Sequence, residues 1–158
     1  MCHGSIHRSV VAEIYLKQLL VANGLTENFE VISRGTQKEP PRHKSITQYE
    51  PEWSASEPSL RELQVDIPQL SAHESCPLTS NIMNRASIVI AMTTTVMDEI
   101  RELFLTHPAK LIFFNTLADG KIDLVDCYGS DDLSLHARVN TEIVMTLRQH
   151  YKKLLQML

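Results

Sequence analysis

Two continuous apolar runs, residues 87–92 (SIVIAM) and 110–115 (KLIFFN), are of the kind that lies buried in a parallel sheet. Between them residues 93–105 read as a helix with Val96, Ile100, Leu103 and Phe104 along one side. A strand, a helix and a second strand in that order predict an α/β domain whose sites lie beyond the carboxyl ends of the strands. The rest of the chain fits this frame. Residues 8–22 carry Ala12, Tyr15, Leu16, Leu19 and Leu20 on one helical face and stop at Asn23-Gly24. Residues 29–33 (FEVIS) read as a further short strand ending in the turn Arg34-Gly35-Thr36. Ser130 with Asp131 and Asp132 makes an acidic, capped start for a long last helix bearing Val139, Ile143, Leu147, Tyr151, Leu154 and Leu158. Residues 37–57, with Pro40, Pro41, Pro51 and the lone Trp53, read as a long surface excursion. Residues 58–63 read as a short helix opened by a proline, and 66–79 as loop leading to another short helix.

At 158 residues the chain is expected to be a single domain, 1–158, with an ample core and no need of a staple. A net charge of -4, with basic residues scattered, makes nucleic acid and anionic membrane poor partners. No apolar run is long enough to span a bilayer, and no secretory leader is recognisable. Cys2, Cys76 and Cys127 are odd in number and unremarkable in spacing, so a reducing, cytoplasmic setting is expected.

The chemistry is concentrated at the start. Cys2-His3-Gly4-Ser5-Ile6-His7-Arg8-Ser9 runs straight into the first helix, with a cysteine six positions before an arginine. A loop of this length wraps backbone N–H groups around an oxyanion while the helix points its positive end at the same spot. A thiol beside a helix N-terminus and a guanidinium is placed where thiols ionise most easily. Arg8 supplies a planar fork for two phosphate oxygens. Gly4 gives the loop backbone freedom, and Ser9 offers a hydroxyl just after the arginine.

Five segments in order resemble the low-molecular-weight protein tyrosine phosphatase family: CHGSIHRSVVAE, SRGT, residues 70–79, SIVIAM with Thr93-Thr94, and Asp126-Cys127-Tyr128-Gly129. The resemblance covers nearly the whole chain. It implies a three-layer α/β domain with a short parallel sheet flanked by helices and the phosphatase-type loop at the N-terminus. It implies Cys2 as nucleophile, residues His3, Gly4, Ser5, Ile6, His7, Arg8 and Ser9 as the phosphate cradle, and Asp126 as general acid and then base. Ser33 and His73 match loop-bracing residues, and Tyr128 matches an aromatic at the cleft mouth. No cofactor is implied. The expected partner is a protein carrying phosphotyrosine.

Four departures stand out. Ser5 replaces an asparagine suited to left-handed backbone. His7 replaces a common second cysteine, and Cys127 a usual proline. The family also begins with a hydrophobic strand in mid-sheet, whereas only Met1 precedes Cys2 here, so a strand upstream of Met1 is expected to complete the sheet. Other functions are weighed on the same residues. An arsenate reductase of this fold needs two further cysteines within residues 93–108, and none is present. Ile6 goes with tyrosine phosphatases, whereas the phosphoarginine branch tends to have threonine. A degenerate phosphate-binding module fits Ser5, Cys127 and the short start. No metal site is expected, because neither Cys2, His3 and His7 nor His73 and Cys76 complete a zinc spacing.

Overall fold

The computed structural model describes residues 1–37, 44–107, 109–120 and 123–158. Its two apolar runs pair as expected: β1 (Ile88–Ala91) lies parallel to β2 (Lys110–Phe113), with Ile88 opposite Lys110 and Ala91 opposite Phe113. The crossover between them carries α5 (Thr94–Leu103), capped by the Thr93 hydroxyl, which accepts from the Val96 N–H. Alternate strand residues then go to opposite faces. Ile88, Ile90 and Ile112 pack against the core built around α1 (Arg8–Ala22) and α6 (Leu133–Leu155), while Val89, Ala91 and Leu111 join Met83, Val96 and Ile100 on the other side. The domain is thus a helix, sheet, helix sandwich with a short parallel sheet. Among the described residues no helix is long and apolar enough to cross a membrane.

Helix α6 begins where the acidic cap suggests, with Asp132 accepting from the N–H groups of Ser134 and Leu135. Its Val139, Ile143, Leu147, Tyr151 and Leu154 are buried, but the helix ends at Leu155 and Leu158 is exposed. Other readings need correction. Residues 58–63 are not a separate helix opened by Pro58; they are the end of α2 (Glu52–Glu62), with Pro58 in its interior. Glu52, Ala55, Ser56, Ser59 and Leu60 form one buried face of α2, which packs on α6, and that burial outweighs the lost hydrogen bond of an internal proline. The expected surface excursion is therefore helical in its last part, preceded by a short turn of 3-10 helix at Ile46–Gln48, and Pro40 and Pro41 lie outside the described residues. Within 66–79, α3 (Ile67–Ala72) replaces the anticipated loop, started by Asp66, whose carboxylate accepts from the Gln69 N–H. Helix α4 (Ser80–Arg85) follows.

The FEVIS segment is not a strand. A strand needs a hydrogen-bonded neighbour, and beside these residues runs a trough of about 590 Å³ lined by Leu16, Leu20, Phe29, Val31, Ile88 and Ile90. Pairing resumes only past it. The Met1 amine donates to the Ile90 carbonyl and the Met92 N–H to the Met1 carbonyl, while Cys2 forms a parallel bridge to Gly35, which bridges in turn to Pro77. The nucleophile candidate is thereby held in line with the sheet.

Gly35 also has to be a glycine. A Cβ there would stand 2.6 Å from the His3 carbonyl oxygen, so the backbone of this turn lies directly against the phosphate loop. Ser5, at the middle of that loop, has φ +51°, a left-handed conformation that costs most residues energy. It is pinned from several sides. The Ser5 hydroxyl lies 3.3 Å from the Ser33 hydroxyl, His73 Nε2 lies 3.0 Å from the Ser5 carbonyl oxygen, and the Ser75 hydroxyl donates to the Gly4 carbonyl at 2.6 Å. Glu13 stands behind them, accepting from the Ser33 N–H at 2.9 Å and from Lys17, with His73 Nδ1 3.8 Å away.

Burial raises the Glu13 carboxyl, yet hydrogen bonds from Lys17 and Ser33 pull harder the other way and hold it below the ordinary 4.5. Burial drives the His73 imidazole below 6.5, only partly opposed by Glu13 and the Ser5 carbonyl. In both cases the unfolded chain takes up its proton at higher pH than the folded chain. Stability from His73 is present above 6.5 and is lost as pH falls through its lower folded value; that from Glu13 is lost below 4.5.

Three outcomes are expected. Gly35→Ala should destabilise the domain by about 1–3 kcal/mol in urea denaturation, because backbone must move to admit the methyl. Ser5→Asn, better suited to left-handed backbone, should raise stability by about 0.5–1 kcal/mol in the same assay. Urea midpoints should fall as the pH is lowered from neutral, with His73→Gln flattening the upper part of the fall and Glu13→Gln the part below 4.5.

Candidate active site

The loop before α1 makes few bonds with its own backbone. Among the described residues no protein acceptor takes the N–H of His3, Gly4, Ser5, Ile6, His7, Arg8 or Ser9, while the His7 carbonyl starts the helix by accepting from Val10 and Val11. Free amides in a loop with a left-handed residue at its centre form an anion-binding concavity, and the positive end of α1 adds to it. Cys2 lies at one end of the loop, 4 % exposed, with its Sγ 3.0 Å from the Ser9 hydroxyl oxygen.

Arg8 opens α1 and is buried against the strand side of the domain. Its Nη1 donates to the Leu124 carbonyl at 3.0 Å and its Nη2 to Asp126 Oδ2 at 2.7 Å. One contact anchors the guanidinium and the other offers it to a carboxylate whose side chain is 60 % exposed. An arriving phosphate dianion competes for the same fork, because both ligands present oxygen pairs to the guanidinium plane. Asp126 itself is steadied by the Tyr128 N–H, which donates to its Oδ1 at 3.2 Å. Gly129, at φ +75°, ends this turn and donates its N–H to Glu52 on α2 at 2.9 Å.

The remaining anticipated residues fall around this centre. Ser33 and His73 are behind the loop, as described. Ile6 packs its side chain into the core from the loop. Tyr128 is 77 % exposed at the rim, close enough to Tyr49 to raise its phenol, after burial, above the ordinary value. Trp53 packs against the core. His3 points outward, 3.3 Å from Glu99, whose carboxylate also accepts from Thr36.

Sequence reasoning did not find Glu13, Ser75, Glu52 or Glu99. Ser75 follows His73 by two residues and was within reach of a motif reading. Glu13 is legible only as a charged residue on the otherwise apolar approach of α1, and Glu52 and Glu99 become partners through contacts 77 and 63 positions away in sequence.

The family model for low molecular weight phosphotyrosine protein phosphatase matches residues 1–158. No curated protein sequence matches the chain significantly. Among solved structures, a YwlE mutant from Bacillus subtilis is 28 % identical, with a TM-score of 0.76 over 97 % of this chain and 94 % of that one. The YwlE arginine phosphatase with a phosphorylated active-site serine is 27 % identical, with a TM-score of 0.78 over 97 % of this chain and 91 % of that one. A low molecular weight protein tyrosine phosphatase from Bacillus subtilis is 25 % identical, with a TM-score of 0.72 over 98 % and 94 %. With the match running from the cysteine loop to the last helix, this chain belongs to the low molecular weight phosphotyrosine protein phosphatase family of hydrolases.

Proposed function

We propose that the protein hydrolyses phosphotyrosine monoesters in proteins through a cysteinyl-phosphate. The observation that carries this reading is the loop from His3 to Ser9, whose amides have no partner among the described residues and which follows the Cys2 thiol and includes the Arg8 guanidinium. The phosphate dianion takes the Arg8 fork from Asp126 and fills the cradle, and the Cys2 thiolate, accepting from the Ser9 hydroxyl, attacks phosphorus. Asp126, freed from Arg8, takes up a proton from solvent, and the phosphorus–oxygen bond to the phenol breaks as Asp126 gives that proton to the leaving oxygen. Charge on the three equatorial oxygens is met by the loop amides and Arg8. Asp126, now a carboxylate, takes a proton from the water that attacks the cysteinyl-phosphate, and phosphate leaves with the thiolate restored. Tyr128, exposed at the rim, offers its ring to the phenol.

A second reading, phosphoarginine, is favoured by the likeness to the YwlE arginine phosphatase at 27 % identity. Ile6 weighs against it, since its apolar branched side chain, partly buried against the core, has no hydroxyl to present to a guanidinium substrate.

Turnover of phosphotyrosine and phosphoarginine peptides by the same preparation tests both. Phosphotyrosine should be the better substrate, with a burst of one leaving group per protein as the cysteinyl-phosphate forms. Cys2→Ser should abolish the burst and turnover, and Asp126→Asn should lower kcat about 10²–10⁴-fold. Binding of vanadate with no burst would make the protein a phosphate-binding module, and a preference for phosphoarginine would move it to the second reading.

A further inference from the structure

Two of the residues that depart from the family pattern meet in the fold. His7 in the phosphate loop and Cys127 beside Asp126 come together with His136, in the first turn of α6, so that one ligand atom from each lies within 4.8 Å of the others. The two imidazole rings are 5.4 Å apart between centres. Cys127 and His136 are buried, 1 % and 0 % exposed, whereas His7 is partly exposed and leaves a way in for an ion.

The tautomers are set by the surroundings. The Ser59 hydroxyl donates to the Ser56 carbonyl, so it accepts from the Asn140 amide nitrogen at 2.9 Å, and this turns Asn140 Oδ1 toward His7. His7 Nε2 must then donate to that oxygen, 2.8 Å away, which leaves its Nδ1 with a lone pair. His136 Nε2 donates to the Ser130 carbonyl at 3.0 Å, and its Nδ1 is buried with no hydrogen-bond partner. An orphaned nitrogen in the interior is costly unless something uses it. Two histidines each fixed through one nitrogen, with the other bare and a thiol within reach of both, is the arrangement in which outer hydrogen bonds orient metal-binding imidazoles.

We propose that His7, Cys127 and His136 form a binding site for a zinc-class divalent cation, with water in the fourth position. Two nitrogens and one sulfur suit a borderline-soft ion and disfavour calcium or magnesium, which require oxygen. Bond lengths of about 2.0–2.1 Å to nitrogen and 2.3 Å to sulfur set the ligand atoms of a tetrahedral ion roughly 3.3–3.6 Å apart, so a pair at the 4.8 Å limit must close by roughly 1.2–1.5 Å. The Cys127 thiol loses its proton to solvent on ligation. Burial and the neighbouring Asp126 now push that thiol up to about 11, and a bound cation supplies the charge that reverses this. His7 is already neutral, its burial lowering it to about 4.

The three ligands belong to the phosphate loop, the turn carrying Asp126 and the start of α6. An ion there ties these segments together and fixes the Asp126 turn against Arg8. The binding site itself does not depend on the phosphatase reading, so its test uses no substrate.

Metal-free full-length protein is titrated with Co²⁺ as the probe, in the presence of a phosphine reductant that keeps the thiols reduced. The expected result is a near-ultraviolet sulfur-to-cobalt charge-transfer band with tetrahedral visible bands, saturating at one equivalent and displaced by Zn²⁺. Cys127→Ser should abolish the charge-transfer band, and His136→Gln should weaken binding at least tenfold. Cys2→Ser and Cys76→Ser should retain both band and stoichiometry. Circular dichroism of each metal-free variant verifies that it is folded, and Asn140→Ala, which removes the partner of His7 together with the contacts to Ser56 and Ser59, should weaken binding about 10–100-fold. Absence of the band in the parent protein, or a band lost with Cys2→Ser and kept in folded Cys127→Ser, overturns the proposal.

Discussion

The phosphate loop is held open by contacts that come from outside it, and the rest of the site depends on that. A loop that satisfied its own N–H groups would have nothing left for an anion. Here the carbonyls of Cys2, His3, Gly4 and Ser5 are occupied by Thr36, Gln37, Ser75 and His73, while the amides from His3 to Ser9 stay free. Gly35 permits the closest of these approaches, and the left-handed Ser5 turns the backbone so that its donors and acceptors separate. The cost of that conformation is offset by the buried network of Ser33, His73 and Glu13, which is why polar groups far from the thiol are part of its chemistry.

The charge pair Arg8 and Asp126 divides the site into a fixed half and a movable half. Arg8 is buried and anchored to the Leu124 carbonyl, so its position is a property of the core. Asp126 is largely exposed and sits on a turn joined to α2 by one hydrogen bond from Gly129 to Glu52. In the proposed reaction Asp126 faces first a leaving oxygen and then a water and gains from exposure, whereas Arg8, proposed to grip phosphate, gains from rigidity. The cluster of His7, Cys127 and His136 lies at the join between the halves.

A trough runs beside β1, and Met1 bonds to Ile90 and Met92 while Cys2 bridges to Gly35 at its end, so that main-chain contacts tie the loop to the sheet there; among the described residues FEVIS has no strand partner. The residues are strand-like in composition, but strand formation is a property of two segments rather than one.

The sequence by itself determined the elements whose signals are local. The helical periods of α5 and α6, the cap at Asp132 and the two apolar runs of the sheet could be read because each depends on residues a few positions apart, whereas α1 buries Val10, Val11 and Ile14 more fully than the Ala12 and Leu19 of its expected face. The cysteine loop was legible for the same reason, and Asp126, Ser33 and His73 through the order of their motifs. Helix α2 was not, since what holds a helix around Pro58 is its packing on α6, 80 positions on. Only the tertiary structure decided that Glu13 stands behind the loop, that Glu52 holds the Asp126 turn, and that residues 7, 127 and 136 meet. Ligand and brace geometries depend on distances through space, and a chain of this length brings remote positions together in ways that no spacing along it records.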